Sequence, residues 1–452
     1  MNFLIPLFTL LALGLAFPAK SNLDAESRHR VARLASQTLM MLREENVPTL
    51  RLPPFPHPKD ALRFSRAETN CGPTTPCSYF DASDQFVSVE GEHEYVAPTS
   101  DQIRGPCPGL NAAANHAYIP RSGIASIEEV ARGLNKLYNL GIELGTFLAA
   151  YAVVTNGDLK DGTFSIGGPH SDTLVPNLGN GRGLSYSHNS FEGDASFGRP
   201  DAFTNHGDAH SLSVERFEAA YATGGNDTSE HGLDQRYTLD KFRAHYQEVQ
   251  EYSIKTNPYY FTGTVSTIAI VPGSYNLVIN LMSNHSEEEP SGYLDGYNLK
   301  QFFGVTGHPG SFIWQKGQER VPKNWYRRPT ISPYSLADSL ADIGIGYLAY
   351  PKTLKIGGNN GSVNSFTGIS LEDLTGGALK VKDLFKDDNF ACFTFALGQH
   401  AITQGWLEAV KNSTDFMDGL ECVVLENFDQ NLFNKFPGYQ YNPIGPTTNY
   451  KM

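Results

Sequence analysis

Chemistry in this chain begins at Cys107, which stands in Gly105-Pro106-Cys107-Pro108-Gly109-Leu110-Asn111. Proline on each side fixes the backbone and removes amide hydrogens. A helix-compatible run, Leu110 to Tyr118, follows at once. The first amides of such a helix are unpaired donors that can point back at the sulfur, which should lower the thiol pKa and hold a thiolate. As a protease nucleophile Cys107 needs a histidine base and an orienting group. His93 and His116 are near in sequence, but no protease signature surrounds them. As a zinc ligand it lacks a partner cysteine at short spacing. As an axial haem ligand it needs only a rigid loop, amide donors and an apolar cavity. A buried structural cysteine is the bland alternative.

A second group is Phe191-Glu192-Gly193-Asp194-Ala195-Ser196. The Glu192 carboxylate, the Gly193 carbonyl and the Ser196 hydroxyl are hard oxygen donors of the kind Mg²⁺ accepts. A solvated acidic turn would have the same composition.

The chain that must position these groups has 452 residues, 40% of them hydrophobic and 12% aromatic, enough for a large core and apolar pockets. A net charge of −13 argues against nucleic acid and anionic membrane surfaces as partners. Residues 2–16 are apolar and end in Gly14-Leu15-Ala16, the pattern of a cleaved secretory signal over residues 1–16 and too short to span a membrane comfortably. Secretion permits disulfides, and the five cysteines leave at least one unpaired. Cys71 and Cys77 could close a small loop, Cys392 and Cys422 a larger one, with Cys107 left free. The sequons at Asn226, Asn284, Asn360 and Asn412 suit a secreted glycoprotein.

Residues 17–85 are expected to form an N-terminal extension: an amphipathic helix over 23–45, then a linker or removable pro-segment with prolines 48, 53, 54, 56 and 58. A main domain follows over 86–428 and a tail over 429–452, rich in Pro, Asn, Gly and Tyr. A capping box at Ser126-Ile127-Glu128-Glu129 opens a helical pattern that stays apolar to Tyr151 and stops at Asn156-Gly157-Asp158. Gly133, Gly141 and Gly145 inside it mark weak points or close packing. Another helix should open at Thr238 and end before Pro258. Residues 259–283 fit a strand or a buried helix equally. Residues 296–303, 334–350 and 396–411 read as helices.

Taken together the two motifs resemble the haem-thiolate peroxidases of fungi, chloroperoxidase and the unspecific peroxygenases of the long type. The text that carries the resemblance is Ile103 to Asn111, His116, Tyr118, Pro120-Arg121, Gly123, Phe164 to Gly167, Phe191 to Ser196, Arg199, Asp201-Ala202-Phe203 and Thr256-Asn257-Pro258. The resemblance implies a mainly α, single helical domain around haem b, with few short strands and Cys107 as the proximal thiolate. It implies Mg²⁺ held by Glu192, the Gly193 carbonyl and Ser196, and a disulfide between Cys392 and Cys422. The implied reaction is hydrogen peroxide-driven oxidation or oxygenation of a small apolar or phenolic molecule, with secondary metabolism as one setting for it. In the family a distal glutamate, with an arginine seven residues before it, moves the peroxide proton. Counted from Asn257, those positions fall on Ser266 and Gly273, and no acid lies between Tyr259 and Ser283. Ser274, Tyr275 and His285 are candidate substitutes; the sequon around His285 and the run Glu287-Glu288-Glu289 point to surface. The loop Lys323 to Arg328 reads either as a channel mouth or as a packed Trp325 with exposed arginines. Two rivals remain: a haem-thiolate protein without efficient peroxygenase activity, and a non-enzymatic secreted binding protein in which Cys107 is structural.

Overall fold

A computed structural model describes parts of 30–41, then 55–65, 69–72, 77–169, 181–401, 428–441 and 443. Helices dominate these residues, and no strand exceeds three residues, as expected for a mainly α domain. The longer helices are α1 (Pro58–Ser65), α2 (Pro108–Asn115), α3 (Ile127–Tyr138), α4 (Ile142–Asn156), α5 (Val214–Ala222), α6 (Leu239–Thr256), α7 (Val271–Met282), α8 (Gly296–Phe303), α9 (Leu336–Ala349) and α10 (Asn389–Ala401). Short antiparallel pairs pin the loops, among them β1 (Ile124–Ser126) with β2 (Thr163–Ser165) in the register Ala125 opposite Phe164.

The apolar pattern from Ile127 to Tyr151 is broken into two helices. α3 opens with the expected capping box between Ser126 and Glu129. It closes at Asn139, which takes the left-handed conformation (φ 51°), and Gly141 caps the start of α4. Gly133 sits where a Cβ would lie 2.1 Å from the Tyr118 carbonyl oxygen, so any side chain would push α3 off the segment after α2.

The ambiguous stretch 259–283 is mostly helix. After a two-residue strand, β3 (Phe261–Thr262), a π-helical turn over Ser266–Ile270 leads into α7. Pro272 explains the irregularity: it has no N–H to give the Ile268 carbonyl. That carbonyl is satisfied by the Tyr347 hydroxyl of α9 at 2.8 Å. Thr238 caps α6 and Asn257 ends it, as the sequence indicates.

The core lies where α6, α7 and α9 pack on one another. Its polar centre is a buried Arg243–Asp342 ion pair at 2.9 Å. Tyr334 and Asn280 also donate to Asp342, at 2.9 and 3.0 Å. Arg243 Nε is left buried without a partner, so the pair ties α6 to α9 more than it adds stability. Described segments outside 86–428 also pack on the core. α1 packs on α9, Cys71 and Cys77 are joined, and Phe433 and Phe436 are buried against Phe261. No helix among the described residues is long and apolar enough to cross a membrane.

Candidate haem-thiolate site

Cys107 is the residue before α2, with extended backbone (φ −92°, ψ 110°) and Pro108 as the first helical residue. The preceding loop is closed by Asn111, whose side chain accepts from Gly105 N and donates to Gly105 O, both at 2.9 Å. Gly105 is required by crowding: a Cβ there would lie 1.9 Å from the Ile166 carbonyl oxygen. Arg199 donates through Nε to the Pro106 carbonyl at 2.9 Å. Tyr138 donates to the Gly109 carbonyl at 3.0 Å. From below, Asn115 bonds the Gly317 and Glu319 carbonyls at 2.8 Å each and accepts from Arg104.

The Leu110 and Gly109 amides do point at the sulfur, but the expectation of a lowered thiol pKa is reversed. Burial pushes the Cys107 thiol up, and the Leu110 amide, the Arg199 guanidinium and the Gly109 amide offset only part of that. A thiolate here needs one more positive partner, which is what a metal ion supplies. Cys107 is a free cysteine packed against the apolar core that keeps some accessible surface. Phe147, Leu148, Phe191, Ile270, Leu277 and Leu281 share that property. Arg199 is buried with Nη1 unpartnered, and Glu319 is buried with neither oxygen meeting a donor in hydrogen-bond geometry. The nearby Asn111 amide offsets the effect on Glu319 somewhat, but burial still raises that carboxyl to about 7. A soft sulfur ligand packed against the apolar core, with a buried guanidinium that keeps one nitrogen unpartnered, fits a haem.

Glu192 and Asp194 enter a different network. Glu192 Oε1 meets His188 Nδ1 at 2.8 Å. Burial depresses the imidazole pKa, but Glu192 and Asp194 outweigh it and raise His188 to about 9. Burial and neighbouring Asp201 raise the Asp194 carboxyl. Asp201 Oδ1 accepts from the Ala195 amide, Arg216 and Ser253, and Asn257 bridges Asp194 and Asp201 at 3.1 Å each. Ser196 is half-buried, and its carbonyl accepts from Arg216. His188 was missed as the partner of Glu192, because the two meet across a turn that no helical spacing marks. Glu319 was missed too, because no local pattern marks its burial.

Ser266 and Gly273 are the residues at the positions counted for the family's distal pair. Ser266 is buried and donates to the Glu192 carbonyl at 2.9 Å. A Cβ on Gly273 would meet Ile343 Cδ1 at 3.4 Å, an ordinary contact. Tyr275 is taken up by the Ala195 carbonyl at 3.0 Å, and Ser274 by Val271 O within its own helix. His285 is a correction: it is fully buried, not at the surface, and hydrogen-bonds the Pro290 carbonyl. Glu287, Glu288 and Glu289 are exposed. Trp325 is packed, but Arg328 is buried rather than exposed, bonding Ser332 and Cys71 carbonyls.

Of the sequon asparagines, Asn226 and Asn360 are exposed, while Asn284 is half-buried and bonds Tyr326 N and the Tyr293 hydroxyl. Asn412 lies outside the described residues. So does Cys422; its expected partner Cys392 is buried and disulfide-bonded.

The model of family 2 peroxidases matches residues 93–330. The chain belongs to that family. It is 35% identical over 376 residues to the dothistromin biosynthesis peroxidase dotB of Dothistroma septosporum, covering 80% of this chain and 88% of that protein. It is 34% identical over 393 residues to the aromatic peroxidase fscJ of Fusarium equiseti, covering 80% and 87%. An aromatic peroxygenase of Coprinellus radians is 34% identical over 133 residues, 28% of this chain and 49% of that one. This peroxidase is therefore an oxidoreductase acting on peroxide, with the haem iron of its family, and the non-enzymatic reading falls.

Proposed function

We propose that this peroxidase is a secreted haem-thiolate enzyme in which Cys107 ligates the iron and a small aromatic or phenolic metabolite is oxidised. The observation that carries the reading is the free Cys107 sulfur, set immediately before the N-terminus of α2 and left partly open against the core. The biosynthetic and aromatic relatives support the substrate class. The apolar N-terminal run and the exposed Asn226 and Asn360 support secretion.

When bound, haem with a thiolate ligand supplies the redox chemistry that cleaves the peroxide O–O bond. The chain's part is to hold charge and exclude water. The two amides and Arg199 stabilise the sulfur, and Asn111 and Tyr138 keep the loop from moving. Ile270, Leu277 and Leu281 give α7 an apolar half-buried face, on which Ser274 is the hydrogen-bonding side chain. Ser274 is a weak acid, so the peroxide proton passes through a water or the substrate's own hydroxyl. This favours a second reading, a haem-thiolate enzyme slow toward peroxide and devoted to one substrate. Mg²⁺ on Glu192, the Gly193 carbonyl and Ser196 belongs to the proposal as well; it would share Glu192 with His188, and metal analysis of the purified protein decides it.

The test is the optical spectrum of the reduced carbon monoxide complex. A strongly red-shifted band is expected; an unshifted, histidine-type band would refute thiolate ligation by Cys107. Stopped-flow mixing with peroxide on the same sample separates the fast and slow readings.

A further inference from the structure

Apart from the Cys107 site, Cys71, Cys77 and His285 come together in the interior. The two sulfurs and one ring nitrogen of His285 all lie within 4.8 Å of one another, and all three residues are buried. The cysteines are joined as a disulfide, a bond that asks nothing of a neighbouring imidazole. His285 is nonetheless held in a particular state. Its Nδ1 meets the Pro290 carbonyl at 2.9 Å. Only a protonated nitrogen can do so, which leaves the lone pair on Nε2. Nε2 is buried and has no hydrogen-bond partner among the described residues. Burial lowers the His285 pKa to about 4, so the ring stays neutral at ordinary pH.

The surroundings fix the three groups against each other. Gly292 backs the imidazole: a Cβ there would lie 2.6 Å from its Cε1 and 2.9 Å from Nε2. Beside Cys71, the Asn70 amide donates to the Ser291 carbonyl at 3.2 Å and its side chain to Ser283 Oγ at 2.9 Å. Arg328 donates to the Cys71 carbonyl at 3.0 Å. A histidine that gives one N–H to a backbone carbonyl and keeps a bare lone pair on the other nitrogen is arranged as a metal ligand. Two thiolates and an imidazole suit zinc. Ligand atoms on tetrahedral zinc stand about 3.6–3.8 Å apart, given its bond lengths, a spacing these three reach once the sulfurs part.

We propose that Cys71, Cys77 and His285 form a zinc site in the reduced chain, which the disulfide replaces on oxidation. Zn²⁺ displaces the two thiol protons and binds both sulfurs and His285 Nε2, with water as the fourth ligand. A small-molecule disulfide reverses this. The two thiolates give up two electrons and form the Cys71–Cys77 bond. The small disulfide takes those electrons and two protons to become two thiols, and Zn²⁺ leaves. The His285 lone pair is then left without a partner, as it stands in the oxidised protein.

The full chain, with its haem, is produced in a reducing cytosol supplied with zinc. Metal analysis and X-ray absorption at the zinc edge, which does not register the haem iron, are the measurements. One zinc per chain is expected, in a shell of two sulfurs and one imidazole. Cys71→Ser and His285→Gln should each lower zinc content about tenfold or more. Oxidised glutathione should release the zinc and close Cys71 onto Cys77, followed by peptide mass spectrometry after alkylation. Should His285→Gln not fold, the native zinc shell and Cys71→Ser decide. Protein without zinc, a Cys71–Cys77 bond closed in spite of it, a zinc shell lacking imidazole, or zinc content unchanged in either variant overturns the site.

Discussion

The loop carrying Cys107 and the helix α7 are built on opposite plans. Around the cysteine almost every backbone group is held by a named side chain: Asn111 on Gly105, Arg199 on Pro106, Tyr138 on Gly109, Asn115 on the Glu319 segment. The half-buried face of α7 offers Ile270, Leu277 and Leu281, with one serine whose hydroxyl is spent on its own helix. The sulfur side can thus fix a ligand rigidly, while the helix side contributes shape and little proton chemistry. The contrast is tested hardest at the sulfur. Cys107→Ala should abolish the red-shifted carbon monoxide band and reduce peroxide-driven turnover by about a thousandfold or more, since the electron-donating ligand is gone. Retained turnover with a retained band would show that another residue ligates the iron.

The next largest effect should come from giving α7 what it lacks. The site of Gly273 has room for a Cβ, in ordinary contact with Ile343 Cδ1 at 3.4 Å. Gly273→Glu should speed reaction with peroxide by about a hundredfold, the lower end of what a positioned acid–base group contributes. Stopped-flow absorbance is the measurement. No gain would mean that proton transfer is not what limits this enzyme, and the contrast between the two sides would lose its functional meaning.

Much of this contrast could be read from the residues, and the unread part has a common cause. The rigid turn at Pro106-Cys107-Pro108, the capping box at Ser126 and the caps at Thr238 and Asn257 are local, and all stand as expected. The small Cys71–Cys77 loop was legible for the same reason. What the sequence concealed depends on burial. The Cys107 thiol is pushed up because the enclosure outweighs two amides and an arginine. His285 looked exposed for its sequon and is buried; Arg328, exposed in one of the two readings of its loop, is buried against Tyr334. Glu319 went unnoticed in the sequence and is an orphaned carboxyl in the interior. Local rules describe the chain's own bonds, and enclosure is set by segments far away in sequence.

The loop alone offers a finer test. Asn111→Ala leaves the Gly105 N–H and C=O without partners and should cost about 3–4 kcal/mol of stability, at about 1–3 kcal/mol for each stranded group. Thermal unfolding of the apoprotein measures it. Asn111→Asp keeps the acceptor but buries a second carboxyl beside Glu319, so it should cost at least as much. No loss in Asn111→Ala would show that Gly105 is held by something other than these two bonds.

The smallest effect is also the most conditional. Glu319 titrates near 7 in the folded protein against an ordinary 4.5, because burial disfavours its charge. A raised carboxyl keeps in the folded state a proton that the unfolded chain has released. Its stabilising contribution is thus complete below pH 4.5 and is lost as pH rises through 7. Glu319→Gln removes that dependence. The variant should match the native protein near pH 4.5 and exceed it by about 3 kcal/mol above pH 7, since each tenfold change in proton affinity is worth about 1.4 kcal/mol. His116 and His285 act in the opposite direction, since burial lowers both to about 4. The unfolded chain takes up their protons below about pH 6.5, so stability falls as pH drops toward 4 in both proteins. Subtracting the native unfolding curve from that of Glu319→Gln cancels the histidines and isolates the carboxyl. A difference that does not grow between pH 4.5 and 7 would mean that Glu319 is satisfied in the folded protein. The Cys107 loop would then lack the buried, unpaired acid that distinguishes it from the neutral face of α7.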